Sequence, residues 1–81
     1  MSYQMGIPVG EFMVTRVLLQ TGEALPIAKN EKNYPLIIGL GKVKLGNQMA
    51  VQGMILPIDH DCEVEALENS VLYTVEHAAQ L

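Results

Sequence analysis

The sequence has little of several residue types, and each shortage narrows the possible classes of protein. Its 81 residues include one cysteine, so no disulfide can form within the chain and no all-cysteine metal site is possible. There is no tryptophan and only one phenylalanine, which leaves aliphatic and methionine side chains to fill the core. No apolar run approaches the roughly 20 residues of a membrane-spanning helix. The first ten residues lack the basic and apolar regions of a signal peptide, and we therefore expect a cytoplasmic protein.

Positive charge is confined to the first half of the chain. Residues 1–44 contain all five lysine and arginine residues, whereas residues 45–81 contain six acidic residues and no lysine or arginine. The formal net charge is −4. A protein that binds nucleic acid or an anionic membrane surface normally presents a basic patch. The charge therefore argues against both kinds of partner.

The hydrophobic pattern is that of short strands, because no segment has the apolar spacing of an amphipathic helix. Residues 62–67 alternate between apolar and acidic side chains, and Gly46-Asn47 is a two-residue hairpin signal. Pro, Gly and polar clusters separate the remaining apolar runs. The predicted strands are residues 11–20, 24–28, 36–45, 48–51, 54–56, 62–67 and 70–75. This spacing predicts an all-β sandwich or barrel.

Three segments carry a resemblance to a known family. Residues 15–26 run Thr-Arg-Val-Leu-Leu-Gln-Thr-Gly-Glu-Ala-Leu-Pro, and residues 63–72 run Glu-Val-Glu-Ala-Leu-Glu-Asn-Ser-Val-Leu. These runs resemble the opening strand and the closing hairpin of the cupins, and Leu56-Pro57 resembles the Ile-Pro that precedes their second motif. The resemblance implies a cupin-like double-stranded β-helix, a jelly-roll barrel, over residues 15–75.

The resemblance leaves two terminal segments outside the barrel. Residues 1–14 form an N-terminal segment that is apolar and has no charge before Glu11. Such a segment can cover an exposed sheet edge, and we expect it to be a strand exchanged with or packed on a partner subunit. Residues 76–81 are expected to be a C-terminal tail. The chain is therefore predicted to be a homodimer.

The resemblance also implies a metal site of three imidazoles and one carboxylate, and the chain departs from it at every ligand position. Ala28 and Asn30 stand at the first two histidine positions, Tyr34 at the carboxylate position and Cys62 at the last histidine position. Alanine cannot bind a metal, and asparagine and un-ionised tyrosine are weak ligands. We therefore expect no metal and no cofactor. Ala28, Asn30, Tyr34 and Cys62 are instead predicted to line a pocket for a small organic ligand.

A rearranged metal site is the alternative to the loss of metal binding. His60 lies two residues before Cys62, so the two side chains can share one face of a strand, with Asp59 or Asp61 beside them. The opposing interpretation is that residues 59–61 form a solvated turn. Cys62 itself is expected to be an inert thiol, because the neighbouring Asp61 and Glu63 raise the pKa of a cysteine.

Three functions follow from these observations. The favoured one is a metal-free small-molecule binding module, with no catalytic residues. The second is a structural or assembly protein that acts through its dimer interface. The third is a cupin-type metalloenzyme whose site is rearranged around His60 and Cys62.

Overall fold

A computed structural model describes residues 3–29 and 35–77, and all its regular structure is antiparallel β-sheet. One sheet has five strands in the order β1-β2-β9-β4-β7, and the other has four in the order β3-β8-β5-β6. The strands are β1 Tyr3–Val9, β2 Phe12–Leu19, β3 Ala24–Ile27, β4 Pro35–Leu40, β5 Lys42–Leu45, β6 Gln48–Val51, β7 Ile55–Pro57, β8 Cys62–Ala66 and β9 Ser70–His77. The described residues contain no helix able to cross a membrane.

The core lies between the two sheets. Alternate residues of each strand point inward, as the twofold repeat of a strand requires. Leu36, Ile38, Val43, Val64 and Leu72 have no exposed surface, and they come from four different strands of the two sheets. The other buried apolar residues are Val17, Leu19, Ala50, Leu56, Ile58 and Ala66. The predicted two-sheet packing is therefore present.

The structure divides the predicted strand 36–45 into two. β4 ends at Leu40 and β5 begins at Lys42, in the other sheet. Gly41 between them has a φ of +93°, which ordinary side chains rarely adopt. Predicting one strand here was wrong, because a continuous apolar run does not reveal where the chain crosses between sheets.

The N-terminal segment pairs within its own chain. β1 lies at the edge of the five-stranded sheet and pairs with β2 at seven positions, from Tyr3 with Leu18 to Val9 with Phe12. β9 continues to His77, so regular structure reaches two residues beyond the predicted barrel end at residue 75. Exchange of the N-terminal strand with a partner subunit stays a prediction. Residues 78–81 of the expected tail lie outside the described residues.

Several chain connections lie close together at one end of the molecule. Ile27 at the end of β3 pairs with Cys62 at the start of β8, and Leu45 pairs with Gln48 across the β5–β6 hairpin. The segment between β7 and β8 lies at the same end, because it lines a common cavity with that hairpin. The backbone N–H of Lys29 donates a hydrogen bond of 2.8 Å to the Asp61 carboxylate, which ties β3 to this segment.

Candidate functional site

A cavity with a volume of about 900 Å³ opens at this end of the two sheets. Its apolar wall is formed by Leu45, Leu56, Pro57 and Ile58. The turn of the β5–β6 hairpin closes one side, and the segment between β7 and β8 closes the other. Ligand cavities in proteins commonly measure about 300–1,000 Å³. The cavity is therefore large enough for a small organic molecule.

The charged part of the lining is mainly acidic. Asp59, Asp61, Glu63 and Glu65 all line the cavity, and Lys44 is the one lysine or arginine among its lining residues. A cleft lined by charge of one sign attracts ligands of the opposite sign and repels others. The field of this cavity therefore disfavours anionic ligands.

Residues 59–61, in the segment between β7 and β8, are all exposed, as the interpretation of a solvated turn requires. The His60 Nδ1 and the Asp59 Oδ1 lie 2.6 Å apart, and their side chains are 78% and 73% exposed. The hydrogen bond to His60 lowers the pKa of the Asp59 carboxyl. His60 is thus held by a neighbouring carboxylate at the surface rather than directed into a buried site.

Cys62 lies at the start of β8, half-buried in the cavity wall. Burial raises the pKa of its thiol, and the carboxylates of Asp61 and Asp59 raise it further. The sequence predicted that Asp61 and Glu63 raise this pKa. In the structure Asp61 does so, and the second carboxylate is that of Asp59 rather than Glu63. A thiol with a raised pKa is a weak nucleophile and a weak metal ligand at neutral pH, because the thiolate is the reactive form.

We expect the alkylation of Cys62 by iodoacetamide to show this raised pKa. The rate should rise with pH to a midpoint above that of a free cysteine in a peptide, because only the thiolate reacts. The Asp59→Asn and Asp61→Asn variants should lower the midpoint, whereas Glu68→Asn should leave it unchanged. The measurement is the pH-dependent alkylation rate of the folded protein by mass spectrometry. A wild-type midpoint below that of the peptide contradicts this expectation.

Ala28 lies in a second, smaller cavity of about 350 Å³. This cavity is bounded by Leu25, Leu36 and Thr74, and Ile58 lines both it and the larger one. Ala28 and Cys62 therefore line different cavities, although Ile27, next to Ala28, pairs with Cys62. Asn30 and Tyr34, the other two predicted pocket residues, lie outside the described residues.

The described residues do not fit the metal site that the cupin resemblance implies. Ala28 has no donor atom, and the Cys62 thiol is protonated more readily than a free cysteine. Within residues 3–29 and 35–77, no three His, Cys, Asp or Glu side chains are grouped closely enough to hold a metal ion. Asp59 and His60 pair with each other at the surface. This part of the chain therefore supplies no ligand set of the cupin type.

Sequence reasoning missed the residues that shape the large cavity. Leu45, Gln48 and Ile58 line it together with Cys62 and His60, and only Cys62 and His60 were among the residues singled out from the sequence. The Gly46-Asn47 hairpin signal was available, because it places a turn next to Leu45 and Gln48. What the sequence did not show is that this turn lies beside the segment between β7 and β8.

Solved structures share this fold, among them two bacterial proteins. An RmlC-like cupin protein from Desulfovibrio desulfuricans is 21% identical, with a TM-score of 0.68, over 91% of this chain and 80% of that one. A conserved protein of unknown function from Streptococcus pyogenes is 11% identical, with a TM-score of 0.62, over 100% of this chain and 75% of that one. No protein-family model matches the sequence, and no curated protein does so significantly. The structural likeness confirms the predicted cupin-like jelly roll.

Proposed function

We propose that this chain, which has the RmlC-like cupin fold, is a metal-free module that binds a small organic molecule. The observation that carries the proposal is the cavity of about 900 Å³ beside Cys62. The fold places this cavity where two sheets, a hairpin turn and a loop meet, so its walls come from well-separated parts of the chain. Such a site is largely formed before a ligand arrives.

The lining indicates the class of ligand. Leu45, Leu56 and Ile58 supply an apolar surface, and Asn47 and Gln48 supply neutral hydrogen-bonding groups. The four carboxylates favour a neutral or cationic molecule over an anionic one. We therefore propose an apolar molecule that carries hydrogen-bond donors or an amine.

Native mass spectrometry of the purified protein is the first experiment. It detects retained small molecules and bound metal in one spectrum. Spectra are recorded before and after incubation with manganese, iron, nickel and zinc salts. The proposal predicts either a retained organic molecule or a metal-free chain. One tight metal ion per chain, lost in a Cys62→Ser variant, supports the cupin-type metalloenzyme instead.

A thermal-shift screen then tests ligand class and location. Neutral amides and primary amines of drug size should include compounds that raise the melting temperature, by about 5 °C or more near saturation, whereas matched carboxylic acids should not. A Cys62→Phe variant should lose the shift, because the ring fills the large cavity. An Ala28→Phe variant is the matched control, because it fills the smaller cavity. If amine and amide hits persist in Cys62→Phe, or if carboxylic acids bind best, the proposed site is wrong.

A structural role is the second candidate, and the apolar outer face of the five-stranded sheet favours it. Ile55 and Leu40 on that face are large aliphatic residues that the single chain leaves exposed. The cytoplasmic location and the homodimer expected from the sequence stay predictions.

A further inference from the structure

The inner face of the five-stranded sheet carries a pair of threonines among apolar residues. Thr15 of β2 and Thr74 of β9 lie directly opposite each other in the strand register. Each is two residues from a buried residue of its own strand, Val17 or Leu72, so both side chains point between the two sheets. Since β2 and β9 are interior strands, each threonine has a paired strand on either side of it.

The hydroxyl groups of this pair have hydrogen-bonding capacity that the chain leaves unused. Threonines opposite each other on two strands can hydrogen-bond to one another, because their Cβ atoms lie about 5 Å apart. Here neither side chain forms a hydrogen bond with the other, or with any further residue that the structure describes. A hydroxyl that loses water without gaining a partner costs free energy, and valine has almost the same shape without this cost. Packing alone therefore does not account for threonine at these positions.

Both threonines line the smaller cavity, which has a volume of about 350 Å³. Val17, Leu25 and Leu36 form an apolar wall beside them. Gln4 and Glu76 also line the cavity, and both are exposed, so they lie at its opening. The space thus has an apolar wall, two neutral hydroxyl groups inside and one carboxylate at its rim.

We infer that the smaller cavity is a second binding site, for a small neutral molecule that carries a hydroxyl group on an apolar body. An alcohol can donate a hydrogen bond to one threonine and accept one from the other, because every hydroxyl group does both. An anion would meet Glu76, with no lysine or arginine among the described lining residues to offset it. Ligand cavities measure about 300–1,000 Å³, so this one admits a single ring or a short chain.

This site is separate from the one proposed in the larger cavity. The two cavities share only Ile58 among their described lining residues. The larger cavity is lined by four carboxylates, whereas the polar groups inside the smaller one are the two hydroxyls. The two sites therefore differ in ligand class, an amine or amide in one and an alcohol in the other, and each can be tested without the other.

Titrations with benzyl alcohol and toluene, followed by amide chemical shifts in NMR, test this assignment. The two molecules share one ring, and only the alcohol forms hydrogen bonds. Benzyl alcohol should bind with a Kd of about 1 mM or below and move the amide signals of Thr15 and Thr74. Toluene should bind at least about 10-fold more weakly.

Thr15→Val and Thr74→Val each remove one hydroxyl group and keep the shape of the side chain. Each variant should weaken the binding of benzyl alcohol at least about 5-fold and leave that of toluene within about 2-fold, because only a hydrogen bond is lost. Thr21→Val is the matched control. The Thr21 hydroxyl contacts Asn69 and does not line the cavity, so this variant should bind benzyl alcohol like the wild type.

Two phenylalanine variants show which cavity the alcohol occupies. Ala28→Phe should abolish the binding of benzyl alcohol, because Ala28 lines the smaller cavity, and Cys62→Phe should leave it unchanged. The opposite result places the alcohol in the larger cavity, which overturns the second site and leaves the proposed function standing. Alcohol binding that follows the threonine variants, with no amine or amide bound in the larger cavity, supports the second site and contradicts the proposed function.

Circular dichroism establishes that each variant is folded, and alanine replaces valine or phenylalanine in any variant that is not. Equal affinities for benzyl alcohol and toluene overturn the inference, and so does full alcohol affinity in both threonine variants. The absence of a saturable shift up to about 20 mM benzyl alcohol also overturns it. A loss in Thr21→Val as large as in Thr15→Val would show that the effect does not come from the cavity.

Discussion

A Gly41→Ala variant is expected to lose about 3–5 kcal/mol of unfolding free energy, because the position combines two separate costs. Its φ of +93° is strained for any residue with a Cβ. A Cβ there would also lie 2.6 Å from the backbone oxygen of Asn69 and would meet Ser70. These are mainly backbone and buried atoms, so they cannot move aside without shifting the start of β9.

Ser70 makes the collision at residue 41 more costly. Its hydroxyl accepts a hydrogen bond of 3.1 Å from the Lys42 N–H and donates one of 2.7 Å to the Glu68 carbonyl. Ser70 is itself buried, so water cannot replace these partners. Any movement that accommodates a methyl group at residue 41 therefore disturbs the connection between the two sheets.

Gly53→Ala is the control for the steric part of this prediction. Gly53 has a φ of +91°, but a Cβ there would have no neighbour within 4 Å. The Gly53→Ala variant should lose about 1–2 kcal/mol of unfolding free energy, from the backbone conformation alone. Urea unfolding followed by circular dichroism measures both variants, at one fixed protein concentration because association would shift the midpoint. Equal losses in the two variants contradict the proposed clash.

The Leu72→Ala variant is expected to lose about 2–5 kcal/mol of unfolding free energy, the second large effect. Leu72 lies on β9, the central strand of the five-stranded sheet, and has no exposed surface. Removal of its side chain leaves a space in the middle of the core that the two sheets cannot close by a local movement. Total stabilities of roughly 4–12 kcal/mol are normal for a chain of this size, so one such change removes a large part.

Leu67→Ala tests whether the loss comes from burial. The chemical change is the same, but Leu67 is 36% exposed and lies just after β8. The Leu67→Ala variant should lose less than about 1 kcal/mol of unfolding free energy. Urea midpoints of the two leucine variants are compared with the wild type. A Leu67 variant as unstable as the Leu72 variant would show that residue 67 has a structural role that its exposure does not reveal.

The sequence predicted the strands of the two sheets well, because short apolar runs between Gly, Pro and polar clusters are a local property. It did not predict the crossing at Gly41, which depends on the chain leaving one sheet for the other. The site was predicted less completely. Ala28 and Cys62 were expected in one pocket from their positions in a linear motif, but they line two different cavities.

The apolar outer face was visible in the sequence in a form that was not used. The alternation of residues 62–67 contrasts with residues 12–19, where only Thr15 and Arg16 are polar, and such a contrast distinguishes strands with one solvated face from mainly apolar strands. Periodicity alone does not say which strands belong to one sheet, so the composition of a whole sheet face depends on the strand order.

Ile58 is buried and lies in the wall of both cavities, so one side chain contributes to the shape of each. The residue follows β7 and belongs to no ladder of strand hydrogen bonds among the described residues. A smaller side chain there would enlarge the space beside both cavities at a modest cost in stability, about 0.5–1.5 kcal/mol for a change to valine. The space available to a ligand of the proposed module therefore depends in part on one buried side chain, while the sheets around it remain unaltered.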